Sequence, residues 1–90
     1  MSYSLEYSQR ASKQLAKMDP NVRRTIVAWL RKHINNSENP RLYGKGLTGS
    51  LSGQWRYRIG NYRVLCEIQD HRLVVLALEI GHRSNIYKRR

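Results

Sequence analysis

The sequence predicts an α+β fold in which a short N-terminal strand and a helical hairpin precede a three-stranded antiparallel meander and a short C-terminal segment. Three observations favour this fold: alternating residues at the N-terminus, two amphipathic segments with helix caps, and a series of strand-like runs joined by tight turns. The chain has 90 residues, a length typical of one domain. We therefore expect residues 1–90 to form a single domain.

The N-terminal half reads as one strand and two helices. Tyr3, Leu5 and Tyr7 alternate with polar residues, which is typical of a strand with one buried face. Ser8 is a suitable N-cap, and Asp19-Pro20 provides a cap followed by proline at the first helical position. The second helix is expected to end near residue 35. The apolar positions expected to face the core are Ala11, Leu15 and Met18 in the first helix, and Val22, Ile26, Trp29 or Leu30, and His33 or Ile34 in the second.

The C-terminal half reads as an irregular loop followed by the meander. Residues 41–53 contain four of the six glycines and are expected to form the loop. Gly60-Asn61 and Asp70-His71 are the expected tight turns. The last two strands are apolar at both parities, so we expect the helices to cover one face of the sheet while the other stays partly open. The first strand is expected to pair within this sheet. The meander strands are expected at about residues 54–59, 62–69 and 72–80.

Charge and composition limit the class of protein. The net charge is +11, from 17 basic and 6 acidic residues, which implies an anionic partner. Nucleic acid and an acidic protein are the main alternatives; a membrane surface ranks last because the basic residues are not gathered on one amphipathic helix. No apolar run is long enough to span a membrane, and we expect no signal peptide, because residues 3–10 are polar and alternating.

Cysteine use points to a cytoplasmic protein without disulfides. Cys66 is the single cysteine, which excludes an internal disulfide framework and a cysteine-built zinc site. On a central strand it is expected to be a buried filler. His33, His71 and His82 are too far apart in sequence to show metal-ligand spacing, so neither a metal nor another cofactor is expected.

The hairpin from Gln54 to Val64 is the most informative stretch for function. A two-residue turn at Gly60-Asn61 places Arg58 directly opposite Arg63, with their side chains about 5 Å apart on one face. Like charges in that arrangement destabilise a sheet, whereas a phosphate bound between them would be held by two guanidinium groups. The alternative is that these charges have no ligand and only face water.

The residues around this hairpin suit metal-free RNA cleavage. Cations bind phosphates, and aromatic rings stack on unpaired bases. Cleavage also requires a base for the ribose 2′-OH and an acid for the leaving 5′-oxygen. Arginine cannot be the base, whereas His82 or, less directly, Lys45 could be. Trp55 and Tyr57 share strand parity with Ile59 and are expected to be core residues. The whole basic and aromatic set is Arg56, Arg58, Arg63, Arg83, His82, Trp55, Tyr57, Tyr62 and Tyr87.

Three segments make the chain resemble the RelE/ParE superfamily of bacterial toxins, closest to the RelE branch. They are the loop at Gly44-Lys45-Gly46-Leu47-Thr48-Gly49, the hairpin at residues 56–64, and Leu73-Val74-Val75 with Glu79-Ile80-Gly81-His82-Arg83 and Ile86-Tyr87. The resemblance implies a toxin that cuts the mRNA codon in the ribosomal A site without a metal, leaving a 2′,3′-cyclic phosphate and a 5′-OH. It also implies a cognate antitoxin through which the complex binds its operator DNA.

The resemblance assigns roles to individual residues. Arg63 matches the family arginine that holds the scissile phosphate, and Arg83 matches the arginine that stabilises the phosphate or protonates the leaving group. Tyr87 matches the tyrosine that stacks on or orients the nucleotide. The RNA-binding residues expected beside them are Lys45, Arg56, Arg58 and Lys88, together with contacts to rRNA of the 30S subunit.

Two departures from the family pattern leave the general base open. Arg56 and Arg58 stand where well-characterised members carry lysines, one of which is assigned as the base. The segment between Arg83 and Tyr87 is also shorter. His82 is the predicted substitute. Two further functions remain as alternatives, a ParE-like toxin that inhibits DNA gyrase without catalysis and a plain nucleic-acid-binding module.

Overall fold

Helices and strands follow the predicted order in a computed structural model, which describes residues 1–86. The two predicted site residues Tyr87 and Lys88 lie outside the described part. The strands are β1 (Ser4–Tyr7), β2 (Lys45–Gly46), β3 (Trp55–Ile59), β4 (Tyr62–Gln69) and β5 (Val74–His82), and the α-helices are α1 (Gln9–Ala16) and α2 (Pro20–His33).

Both helices begin at the predicted caps. The Ser8 hydroxyl accepts a hydrogen bond from the amide of Ala11 at 3.0 Å, and the Asp19 carboxylate accepts one from Asn21 at 3.3 Å. Each bond satisfies one of the amides that the first helical turn leaves without a partner. Helix α2 ends at His33, slightly earlier than predicted, and the chain then turns through Asn36 with a φ of 66°.

The sheet has the order β1-β5-β4-β3-β2, in which β1 lies parallel to β5 and the other pairs are antiparallel. This confirms the meander and the pairing of the first strand within the sheet. The outer edge of β1 is covered by the chain after α2: the Tyr3 amide donates to Ser37 O at 2.9 Å, the Asn36 amide donates to Tyr3 O at 2.8 Å, and the Leu5 amide donates to Asn35 Oδ1 at 3.1 Å.

The hydrophobic core lies between the helices and one face of the sheet. Cys66 is fully buried there, as predicted, and burial raises the pKa of its thiol. Trp55 packs against this core, and Tyr57 is inside it, which confirms their predicted core positions. No helix among residues 1–86 is long and apolar enough to cross a membrane. The buried core residues are Ala11, Leu15, Ile26, Leu30, Ile34, Tyr57, Ile59, Val64, Cys66, Val75, Ala77 and Ile80.

Two strand predictions were wrong in detail. The segment predicted to be an irregular loop contains β2, which pairs Lys45 with Arg56. Strand β5 begins at Val74 and not at residue 72, because Leu73 has a φ of 53° and its amide donates to Asp70 O at 3.3 Å. The turn after β4 is therefore longer than two residues, and β5 reaches His82.

A β-bulge in β5 changes which side chains face the helices. Leu65 pairs with Glu79, but Cys66 pairs with Ala77, so Leu78 is the extra residue. Because successive side chains on a strand point to opposite faces, one extra residue reverses the faces of everything after it. Ile80 consequently joins the core, while Glu79 is turned to the other side of the sheet.

Candidate nucleic-acid-binding site

Four basic side chains lie on the sheet face that the helices do not cover. Arg58 is directly opposite Arg63, as predicted, and Lys45 is directly opposite Arg56. The three arginines alternate with residues that face the core, and Lys45 shares the face of Arg56 because opposite residues of an antiparallel pair lie on the same side. We call this group, Lys45, Arg56, Arg58 and Arg63, the cationic face.

The two arginines of the central pair are held differently. Arg63 is only 8% exposed, and its Nη1 donates to the backbone oxygens of Gly60 and Tyr62, both at 3.0 Å. Arg58 is exposed and takes part in none of the ion pairs among residues 1–86. The pair therefore combines an oriented guanidinium group with one whose position can adjust to a ligand.

The end of β5 returns to the same hairpin turn. The Arg83 amide donates to Asn61 O at 2.7 Å, which fixes the backbone of this arginine beside the turn that follows Arg58. Ile86 is buried, and a side chain at Gly81 would come within 3.2 Å of its Cδ1 atom. Gly81 lies opposite Arg63, and the absence of a side chain there leaves room for Ile86.

His82 lies on the other side of the sheet. It pairs with Tyr62, and the two rings meet edge to face with their centroids 5.4 Å apart. Its Nδ1 accepts a hydrogen bond from the Ser84 amide at 3.1 Å, so the neutral ring carries its proton on Nε2. His82 and Tyr62 share the side of the sheet opposite Arg58 and Arg63, and the role of His82 as the general base stays a prediction.

Sequence analysis missed Glu79 as a neighbour of these cations. The bulge places its carboxylate in the same row as Leu65 and Arg56, where it is 4% exposed. Arg10 Nη2 approaches Glu79 Oε2 at 3.5 Å. No sequence signal marked this residue, because its face depends on the one extra residue at the bulge.

The arrangement can bind an anion with several charge-assisted hydrogen bonds and can stabilise charge that develops on a phosphate. Within residues 1–86, no cluster of three or more histidine, cysteine, aspartate or glutamate side chains is placed to hold a metal ion. Its charge makes the sugar–phosphate backbone of a nucleic acid a candidate ligand for this face.

The chain matches a known protein family and two characterised relatives along nearly its whole length. Residues 5–87 match the model of the family described as the ParE toxin of the type II toxin–antitoxin system parDE. The chain is 32% identical over 89 residues to Toxin RelG of Mycobacterium tuberculosis, covering 99% of this chain and all of the relative. It is 28% identical over 90 residues to the mRNA interferase toxin RelE of Escherichia coli, covering 97% of this chain and 92% of that protein.

Solved structures show the same fold. A chain of the toxin–antitoxin complex RelBE2 from Mycobacterium tuberculosis superposes with a TM-score of 0.83 at 27% identity, covering 94% of this chain and 95% of that one. The isolated Escherichia coli RelE toxin gives a TM-score of 0.72 at 25% identity, covering 98% and 94%. These similarities confirm the predicted RelE-like α+β architecture and the resemblance to the RelE/ParE superfamily.

Proposed function

Because the chain belongs to the ParE toxin family of type II toxin–antitoxin systems, we propose that this toxin is a ribosome-dependent endoribonuclease. It cuts mRNA codons in the A site of the 30S subunit, and a cognate antitoxin neutralises it. The relatives named mRNA interferases support the activity, and toxin–antitoxin complexes among the similar structures support the partner. The ribosome places this activity in the cytoplasm.

The observation that carries the proposal is the direct pairing of Arg58 with Arg63. Folding alone does not favour two guanidinium groups in adjacent positions, because like charges opposite each other destabilise a sheet. A phosphodiester between them removes this repulsion. In the proposed reaction Arg63 holds the scissile phosphate, Arg58 follows it from the exposed side, and Lys45 and Arg56 contact the neighbouring backbone.

The proposed chemistry is attack by the ribose 2′-OH on the adjacent phosphorus. A base takes the 2′-OH proton, the bond from phosphorus to the 5′-oxygen breaks, and an acid returns a proton to that oxygen. Cations stabilise the charge that develops on the phosphate. Arg83 is the proposed acid or phosphate ligand, Tyr87 orients the nucleotide, and Lys88 contacts RNA. The sequence offers His82 and Lys45 as candidates for the base, and Lys45 would have to lose its proton to accept one.

The net charge of +11 fits both proposed partners. An antitoxin with acidic segments would cover the cations that otherwise contact mRNA and rRNA. In this proposal the operator DNA is bound by the antitoxin, and the toxin joins that complex only through it.

Cleavage of a defined mRNA on purified ribosomes tests the proposal. The wild-type protein is expected to cut at the A-site codon, to leave a cyclic phosphate, and to be silent without ribosomes or with its antitoxin added. The Arg83→Ala variant should lose cleavage and growth arrest while keeping antitoxin affinity. Full toxicity of Arg83→Ala and Arg63→Ala, or intact mRNA at saturating toxin, would contradict the proposal.

A second function is favoured by the family match, which is to a ParE toxin model. In that case the protein inhibits DNA gyrase without cutting RNA. Primer extension on cellular mRNA and a supercoiling assay separate the two functions: codon-phased cuts with normal supercoiling support the ribonuclease, whereas uncut mRNA with inhibited supercoiling supports the gyrase inhibitor.

A further inference from the structure

The placement of Lys45 on the cationic face needs an explanation. Lys45 belongs to β2, a strand of only two residues, and such a short ladder contributes few hydrogen bonds to fix a side chain. Residues 40–45, which we call the strap, bring it there from the end of the loop after α2.

Three contacts hold the strap. The Tyr57 hydroxyl donates to Pro40 O at 2.6 Å inside the core. The Trp55 indole Nε1 donates to Tyr43 O at 2.8 Å. Arg41 donates two parallel hydrogen bonds of 3.0 Å to the Asp70 carboxylate.

The contact at Asp70 joins the strap to the turn between β4 and β5. Tyr3 also donates to this carboxylate at 2.6 Å. The hydrogen bonds from Arg41 and Tyr3 lower the pKa of Asp70 to about 2. The carboxylate therefore keeps its charge in a neutral buffer and can accept from both donors.

Gly44 presses the strap onto β3 immediately before Lys45. Its φ is 79°, and a Cβ atom there would lie 2.3 Å from Arg56 O and 2.8 Å from Trp55 Nε1. Only glycine allows this approach together with this backbone conformation. The close contact sets the register in which Lys45 faces Arg56.

We infer that the strap is a positioning element for RNA binding, and that Asp70 and Trp55 act on RNA only through Lys45. Asp70 is a positioning residue, since it lies on the β4–β5 turn and pairs with Arg41. Both partners of that ion pair are about half exposed, with side-chain exposures of 43% and 58%. Exposed ion pairs contribute little to global stability, so the contact can be removed while the protein stays folded. This inference rests on RNA being the ligand of the cationic face, as in the proposed function.

A double-mutant cycle in RNA binding tests it. The probe is a short fluorescent single-stranded RNA with 2′-O-methyl groups, which removes the nucleophile, so cleavage plays no part. Lys45→Ala should weaken binding about three- to fivefold and lower the slope of log affinity against log salt by about 0.7. Asp70→Asn should weaken binding about two- to threefold, as should Trp55→Phe, which removes the indole donor.

The decisive result is the loss of these effects when Lys45 is absent. In the Lys45→Ala background, Asp70→Asn and Trp55→Phe should cause no further change in affinity. Glu6→Gln is the matched control, because Glu6 forms an exposed pair with Arg72 at 4.0 Å near the same turn and does not touch the strap. Its affinity should equal that of the wild type.

Three outcomes would overturn the inference: normal binding by Lys45→Ala, an equal loss from Asp70→Asn with and without Lys45, or the same loss from Glu6→Gln. Circular dichroism at the assay temperature confirms that each variant is folded. Failure of ribosomal cleavage would leave a positive cycle intact, and a negative cycle would leave ribosomal cleavage intact, so the two proposals fail independently.

Discussion

The two faces of the sheet are built from neighbouring residues of the same strands, but one packs in the core and the other carries the basic side chains. Tyr57 and Val64 point into the core, while the adjacent Arg58 and Arg63 point the other way. The helix-covered face holds the buried aliphatic and aromatic core, and the opposite face holds the basic side chains beside the buried Leu65 and Glu79. We therefore expect mutations on the two faces to change stability and ligand binding to different extents, except where the strap connects them.

The largest expected effect is on the covered face. Leu30 is fully buried, and its replacement by alanine should lower the free energy of unfolding by about 2–5 kcal/mol, through lost burial and the remaining cavity. Urea denaturation followed by circular dichroism measures this. Lys32→Ala, on the exposed side of the same helix, should change the value by less than about 0.5 kcal/mol. Equal losses in both variants would mean that α2 does not pack as described.

On the opposite face we expect a mutation to affect the cleavage rate strongly and the free energy of unfolding less. Arg63→Ala is expected to reduce the rate of ribosomal mRNA cleavage by about 10²–10³-fold, the cost of removing a donor that stabilises developing charge. Its unfolding free energy should fall by less than that of Leu30→Ala. Arg63→Lys should give an intermediate rate, since lysine keeps the charge but lacks the two-pronged guanidinium geometry. Single-turnover kinetics on programmed ribosomes measure these rates, and an unchanged rate for Arg63→Ala would remove this residue from the site.

Gly44 holds the strap against β3, and its replacement tests this contact. Gly44→Ala should destabilise the fold by about 1–3 kcal/mol from its left-handed backbone conformation, with a further cost from the contact at 2.3 Å with Arg56 O. Gly53→Ala is the matched control, because Gly53 has a φ of 95° but no atom within 4 Å of an added Cβ. The difference between the variants isolates the close approach, and equal destabilisation would show that the strap is not pressed on β3.

The smallest expected effect is the pH dependence of the Arg41–Asp70 contact. The folded protein holds the pKa of Asp70 at about 2, against about 3.9 in an unfolded chain. The ionised carboxylate therefore favours the folded state above about pH 4, and this contribution is lost as the pH falls towards 2. Comparing urea midpoints of wild type and Asp70→Asn across that range measures it. The difference between the two proteins should shrink on acidification, and a constant difference would exclude an ionic origin.

Local rules predicted most of the fold. Caps at Ser8 and Asp19 marked the helices, and Gly60-Asn61 fixed the hairpin that places Arg58 opposite Arg63. Each of these features depends on a few neighbouring residues, so the local sequence is enough to predict it. The positions of α2 that face the core were also predicted from their spacing. Only the choice between neighbours, such as Trp29 and Leu30, required the structure.

The failures came from features that depend on distant contacts. A strand as short as β2 has no periodicity of its own and forms only because the strap is tied to Trp55, Tyr57 and Asp70. The bulge at Leu78 reverses the faces of Glu79 and His82, and a hydrophobic run gives no sign of where an extra residue will be accommodated. The role of His82 as the base stays a prediction, while the arginine pair, which lies in the regular hairpin, was placed correctly.

The turn that covers the outer edge of β1 has a consequence for a toxin that must exist apart from its inhibitor. An uncovered edge strand is a template on which copies of a protein can stack into aggregates. Here Asn35 and Ser37 occupy hydrogen-bonding groups that such stacking would use. At these groups, the edge of β1 is therefore closed to pairing with a second copy of the chain.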